Sequence, residues 1–120
     1  MKLAMASLED AIAKYRGDRN RVYLTGVSMG GHGALHLAAK YPDVFAAVVP
    51  LCARLARPHY LSKAADINPS ADHLAQQLNS MPMWLFHGDL DPVVPVTNAR
   101  DLYAALSIDC LLYTSDAADD

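Results

Sequence analysis

Hydrophobic residues at the start of the chain recur with helical spacing. Met5, Leu8, Ile12 and Tyr15 form one stripe, with Glu9, Asp10, Lys14 and Arg16 turned away from it. This predicts an amphipathic helix stopped by Gly17 and followed by a polar turn at Asp18-Arg19-Asn20. The period then changes. Arg21 to Thr25 is β-prone, and Gly30 to Lys40 returns to a helical pattern ended by Pro42. The small residues Gly31, Gly33, Ala34 and Ala38 suit that helix to close packing on a sheet. Phe45-Ala46-Ala47-Val48-Val49 is continuously apolar, the pattern of a strand buried on both faces, and Pro50 is expected to end it.

Residues 51–82 are less regular. Asn68-Pro69 is expected to open a short helix carrying Leu74 and Leu78, and Arg54, Arg57, His59 and Tyr60 read as a solvated loop. Met83-Trp84-Leu85-Phe86 predicts a third buried strand, and His87 to Pro95 a loop. Val96 to Leu106 predicts a helix with Ala99, Leu102, Tyr103 and Leu106 inward. Strands alternating with helices predict an α/β fold: a parallel sheet with crossover helices, in one domain or part of one.

Composition adds exclusions. The 120 residues are 52% hydrophobic with a formal net charge of −3, which describes a globular chain. No apolar run is long enough to span a membrane, and the charge is too mild to suggest nucleic acid as a partner. Cys52 and Cys110 make neither a disulfide framework nor a metal-ligand spacing, and nothing calls for a metal or an organic cofactor. Glu9 and Asp10 interrupt the opening residues before a signal-peptide core forms, so Met1 is expected to be internal or a late start. Residues 110–120 resemble translated sequencing-adapter read-through and are left out of the fold as a non-native tail. The domain is then expected to occupy 1–109.

The chemistry concentrates at Gly26-Val27-Ser28-Met29-Gly30, a G-x-S-x-G between a predicted strand and a predicted helix. That context is a nucleophile elbow, a sharp turn that holds a serine hydroxyl off the end of a sheet. Side chains at Gly26 and Gly30 are expected to obstruct the turn, and the first N–H groups of the following helix face the place where an oxyanion forms. Two other glycine motifs fail. A P-loop from Gly26 needs lysine where His32 stands, and a dinucleotide fingerprint from Gly31 needs glycine or alanine where His36 stands.

With His87-Gly88-x-x-Asp91-Pro92-Val93-Val94-Pro95 downstream, the chain resembles the α/β-hydrolase superfamily over roughly residues 2–109. It is most similar to the phospholipase/carboxylesterase and prolyl-oligopeptidase-like branches, and Ser28 to Leu35 also resembles the esterase D group. The resemblance implies Ser28 as nucleophile, Asp91 as acid rather than Asp89, and the Met29 backbone N–H as one oxyanion donor. It makes His32 and His87 neighbours of the site rather than its base. It also implies a small-molecule ester as substrate, with a peptidase or acyltransferase on the same site as alternatives.

The order of residues departs from the family. The acid precedes the histidine in this superfamily, yet His32, His36, His59, His73 and His87 all precede Asp91. The triad histidine is therefore expected to be absent from these residues, together with the early strand whose loop gives the second oxyanion donor. A non-catalytic binding domain that lacks the base is the remaining alternative.

Overall fold

The computed structural model describes residues 1–56, 71–106 and 110–115. Along the chain lie α1 (Lys2–Tyr15), β1 (Tyr23–Val27), α2 (Met29–Lys40) and β2 (Ala47–Leu51). They are followed by α3 (Ala71–Leu78), β3 (Met83–Gly88), α4 (Thr97–Ala105) and β4 (Cys110–Ser115). The four strands form one sheet in the order β1-β2-β3-β4, and every neighbouring pair is parallel. Helical segments cross between consecutive strands, as the alternating pattern predicted.

The period of two along each strand decides which face is buried. Leu24, Val48, Met83 and Leu85 join a core with Ala34, Leu35 and Ala38 of α2, Leu74 and Leu78 of α3, and Leu102 of α4. Met5 and Leu8 of α1 pack against the same cluster, so the helices share one face of the sheet. The other face carries Tyr23, Val27, Trp84 and Tyr113, exposed by 66%, 63%, 45% and 52%. On that face Phe86 packs between the rings of Trp84 and Tyr113, with centroids 4.8 and 5.6 Å away.

Several local expectations are corrected. The left-handed residue that ends α1 is Arg16 (φ 55°), not Gly17, although the Gly17 N–H also bonds the Ile12 carbonyl at 3.0 Å. Tyr15 and Tyr103 lie outside, because the helix faces that touch the core are narrower than the apolar stripes. Pro50 lies within β2 rather than ending it. Val48 N–H bonds the Pro82 carbonyl and Cys52 N–H the Phe86 carbonyl, at 3.0 and 2.7 Å. The donor that falls between these two is the one proline lacks, and the β2–β3 ladder is broken there. Residues 110–115, omitted from the predicted fold, pair with β3 from Met83↔Cys110 to Gly88↔Ser115. The described sheet edges are therefore β1 and β4, and β3 is interior. The Asn68-Pro69 start of α3, Arg57, His59, Tyr60 and residues 116–120 lie outside the described residues.

Candidate active site

All strands are parallel, so the segments after β1, β2 and β3 emerge at one edge of the sheet, where ligands of open α/β folds bind. Ser28, Cys52 and Asp91 are all found there.

Ser28 is the N-cap of α2, with φ 56° and ψ −113°. A non-glycine residue in that conformation is strained, and the surrounding contacts hold it in place. Its N–H donates to the Leu51 carbonyl at 2.8 Å, tying the turn to the end of β2. The first bond of the helix ladder comes from His32 N–H to the Ser28 carbonyl at 3.0 Å, so the amides before it, beginning with Met29, have no partner in the helix ladder.

The glycines divide the work differently from the sequence expectation. A Cβ at Gly26 would fall 2.2 Å from the Gly30 carbonyl oxygen, a backbone clash. At Gly30 a Cβ would meet nothing within 4 Å, because Gly30 contributes its backbone as the surface on which Gly26 rests. The second close approach is at Gly31, whose Cβ would lie 2.8 Å from the Leu51 carbonyl oxygen. The adjacent glycines at 30 and 31 were the available signal, since only one of them belongs to the motif.

The loop after β3 is held by the Asp91 carboxylate. Asp91 Oδ1 accepts the N–H groups of Val93 and Val94, both at 2.9 Å, which folds the loop back toward β3. The Val94 N–H, then the Val93 N–H and the nearby His87, hold the Asp91 carboxyl below the ordinary carboxylate range. Partial burial opposes this shift. Asp89 is engaged elsewhere, accepting from Arg100 Nη2 at 2.7 Å.

Each of three histidines has a ring nitrogen on a backbone carbonyl. His32 Nδ1 donates to Arg54 O at 2.8 Å, His36 Nε2 to Leu55 O at 3.0 Å and His87 Nε2 to Val94 O at 2.7 Å. Carbonyls only accept, which assigns the proton to those nitrogens. His87 is fully buried, and its Nδ1 has no hydrogen-bond partner among the described residues. Arg54 is half-buried rather than solvated, with Nη2 donating to the Val93 carbonyl at 3.1 Å. Nothing in a lone arginine within an irregular segment signals that contact. Among the described residues, no group of His, Cys, Asp and Glu could hold a metal ion, and no helix is long and apolar enough to cross a membrane.

A parallel sheet with crossover helices and a serine on a strained strand-to-helix turn defines the α/β-hydrolase class. The chain belongs to the Esterase family, whose model, described as "Putative esterase", matches residues 7–110. It is 33% identical over 92 residues to "Putative esterase NocK" of Nocardia uniformis subsp. tsuyamanensis, spanning 77% of this chain and 23% of that protein. Among solved structures it is similar to a thermostable esterase, with 27% identity and a TM-score of 0.71 over 94% of this chain and 27% of that one. A Pyrococcus horikoshii acylaminoacyl peptidase matches with a TM-score of 0.77 over 96% of this chain and 22% of that one. At 15% identity the peptidase likeness concerns the fold alone. The chain thus spans about a quarter of the length of each of these relatives.

Proposed function

We propose that Ser28 and Asp91 are the nucleophile and acid of a serine hydrolase for carboxylic esters, with the base supplied from outside residues 1–120. The observation that carries this reading is Ser28 itself, strained at φ 56° on the turn into α2 at the sheet edge that also bears Asp91. The order of residues supports a base from elsewhere, since the triad histidine of this superfamily follows the acid and His32, His36 and His87 all precede Asp91. Ser28 Oγ attacks the ester carbonyl carbon and passes its proton to that histidine, which Asp91 orients. The Met29 N–H donates to the oxyanion. Proton transfer to the departing alkoxide releases the alcohol, and water then hydrolyses the acyl-serine.

Fluorophosphonate labelling tests the reading in a polypeptide that carries these residues together with the segment bearing the base. Labelling is expected at Ser28 and absent in Ser28→Ala; label persisting in that variant would place the nucleophile elsewhere. Residues 1–120 alone are expected to hydrolyse p-nitrophenyl acetate no faster than their Ser28→Ala variant. Ser28-dependent turnover there would assign the base to one of the upstream histidines, His87 first.

A further inference from the structure

We propose that Arg54 is a positioning residue that holds the acid loop in register with the nucleophile turn, a role that rests on the reading of Ser28 and Asp91 above. The two residues stand on segments separated along the chain, yet a continuous run of hydrogen bonds joins them. On the nucleophile side, His32 N–H donates to the Ser28 carbonyl at 3.0 Å. The same residue's Nδ1–H donates to the Arg54 carbonyl at 2.8 Å. The Arg54 guanidinium then reaches across the site edge, Nη2–H donating to the Val93 carbonyl at 3.1 Å. The Val93 N–H closes the run on Asp91 Oδ1 at 2.9 Å. Arg54 thus accepts from the helix behind Ser28 and donates to the loop that carries Asp91.

A second run lies beside the first. His36 Nε2–H donates to the Leu55 carbonyl at 3.0 Å, Leu55 N–H to Asn98 Oδ1 at 3.1 Å, and Asn98 Nδ2–H to the Pro95 carbonyl at 2.9 Å. It ties the same helix to the start of α4, so the acid loop is fastened at Val93 and again at Pro95. The first run differs in ending on the carboxylate itself. Bonds from half-exposed side chains add little to stability, but they are directional, and a misplacement of ~1 Å between reacting groups can cost about 10²-fold in rate. Arginine suits the task because its donors are fixed on a rigid planar fork, whereas lysine offers a compact charge on a flexible stem.

The test is a carbon-detected NMR titration of the Asp91 carboxyl in the 120-residue chain, repeated in Arg54→Met, Arg54→Lys and Arg100→Met. Among the described residues, His87 from β3 and Arg54 from the segment after β2 are the ionisable groups placed against the acid loop; Arg100 of α4 pairs with Asp89 instead. Loss of the Arg54 bond frees the Val93 peptide, so in both Arg54 variants the Asp91 midpoint is expected to rise toward the ordinary ~3.9. Arg100→Met is expected to leave it in place. A wild-type midpoint in Arg54→Met overturns the proposal. A wild-type midpoint in Arg54→Lys also does so, because charge rather than a directed bond would then be sufficient. With the base-bearing segment present, Arg54→Lys is expected to lower kcat about tenfold with KM unchanged. An Asp91→Asn variant that keeps full turnover would sink the triad reading alone and leave the titration result standing.

Discussion

The His87 imidazole and the Asp91 carboxylate face each other at 3.7 Å, and each makes its hydrogen bonds elsewhere. His87 Nε2–H is spent on the Val94 carbonyl, and Asp91 Oδ1 on the Val93 and Val94 amides. Together these bonds fix the loop and leave Oδ2 without a hydrogen-bond donor among the described residues. A carboxylate that is anchored through one oxygen and open at the other can receive a histidine N–H without moving. This is the geometry an orienting acid needs.

Asp91→Asn is therefore expected to lower kcat by up to about 10⁴-fold in the polypeptide that carries the base, the scale for an acid that sets the tautomer of a catalytic histidine. Asp89→Asn should stay within a few-fold of wild type. Its carboxylate pairs with a half-exposed Arg100, and such surface pairs contribute ~0–1 kcal/mol. Steady-state kinetics on both variants decide the matter, and equal losses would move the acid to Asp89.

Stability toward acid should depend on the same carboxylate. Because Asp91 is held below its ordinary value, the unfolded chain binds a proton more readily than the folded one. Its contribution is present above the unfolded value of ~3.9 and is lost as pH falls through the lowered folded value. Urea unfolding of wild type and Asp91→Asn, compared at neutral pH and again below pH ~4, is expected to show a stability gap that closes on acidification. A gap constant with pH would mean that the loop amides do not favour the charged form.

The alternation of strands and helices was legible because short apolar runs alternate with helical spacing, although the continuous run from Met83 to Phe86 gave no sign that Trp84 stays on the exposed face. The turn at Ser28 was legible because the G-x-S-x-G spacing stands between a strand pattern and a helix pattern, although contact demands glycine only at 26 and not at 30. What escaped detection depends on long-range partners. Pro50 stays in β2 because the missing donor costs a single ladder bond while neighbouring bonds at Val48 and Cys52 persist. Leu111-Leu112-Tyr113-Thr114 is a strand pattern whatever the origin of those residues, and setting them aside hid β4. Arg54 carries no local mark at all; its meaning comes from Val93, a loop far along the chain.

The two elbow glycines should respond oppositely to alanine. At Gly26 the new methyl would meet the Gly30 carbonyl at 2.2 Å, and backbone cannot yield there without breaking the turn. Overpacking of this kind costs ~1–3 kcal/mol or more, so Gly26→Ala is expected to unfold at markedly lower denaturant. Gly30→Ala places its methyl in open space on a helix and should stabilise by about 0.4–1 kcal/mol through the unfolded state. Matched destabilisation of the two variants would show that the motif's glycines act alike.

Ser28 itself should be replaceable at a gain in stability and a loss of chemistry. Its backbone at φ 56° and ψ −113° is a conformation glycine adopts freely and an L side chain does not. Such strain costs ~1–3 kcal/mol and persists only where surrounding contacts enforce it, here the Ser28 N–H bond to Leu51 and the His32 N–H bond to Ser28. Ser28→Gly keeps both bonds, since they involve backbone alone, and removes the Cβ that makes the conformation unfavourable. Glycine also has more freedom to lose on folding, which offsets about 0.5–1 kcal/mol of the relief. The expected balance is a variant about 1 kcal/mol more stable than wild type, unreactive toward a fluorophosphonate. Ser28→Ala separates the causes, because it removes the hydroxyl but keeps the Cβ and should leave stability near wild type. Chemical denaturation of all three proteins under one condition provides the measurement. If Ser28→Gly is no more stable than Ser28→Ala, the turn stores no strain at this residue, and the positive φ is simply the conformation the sheet edge prefers.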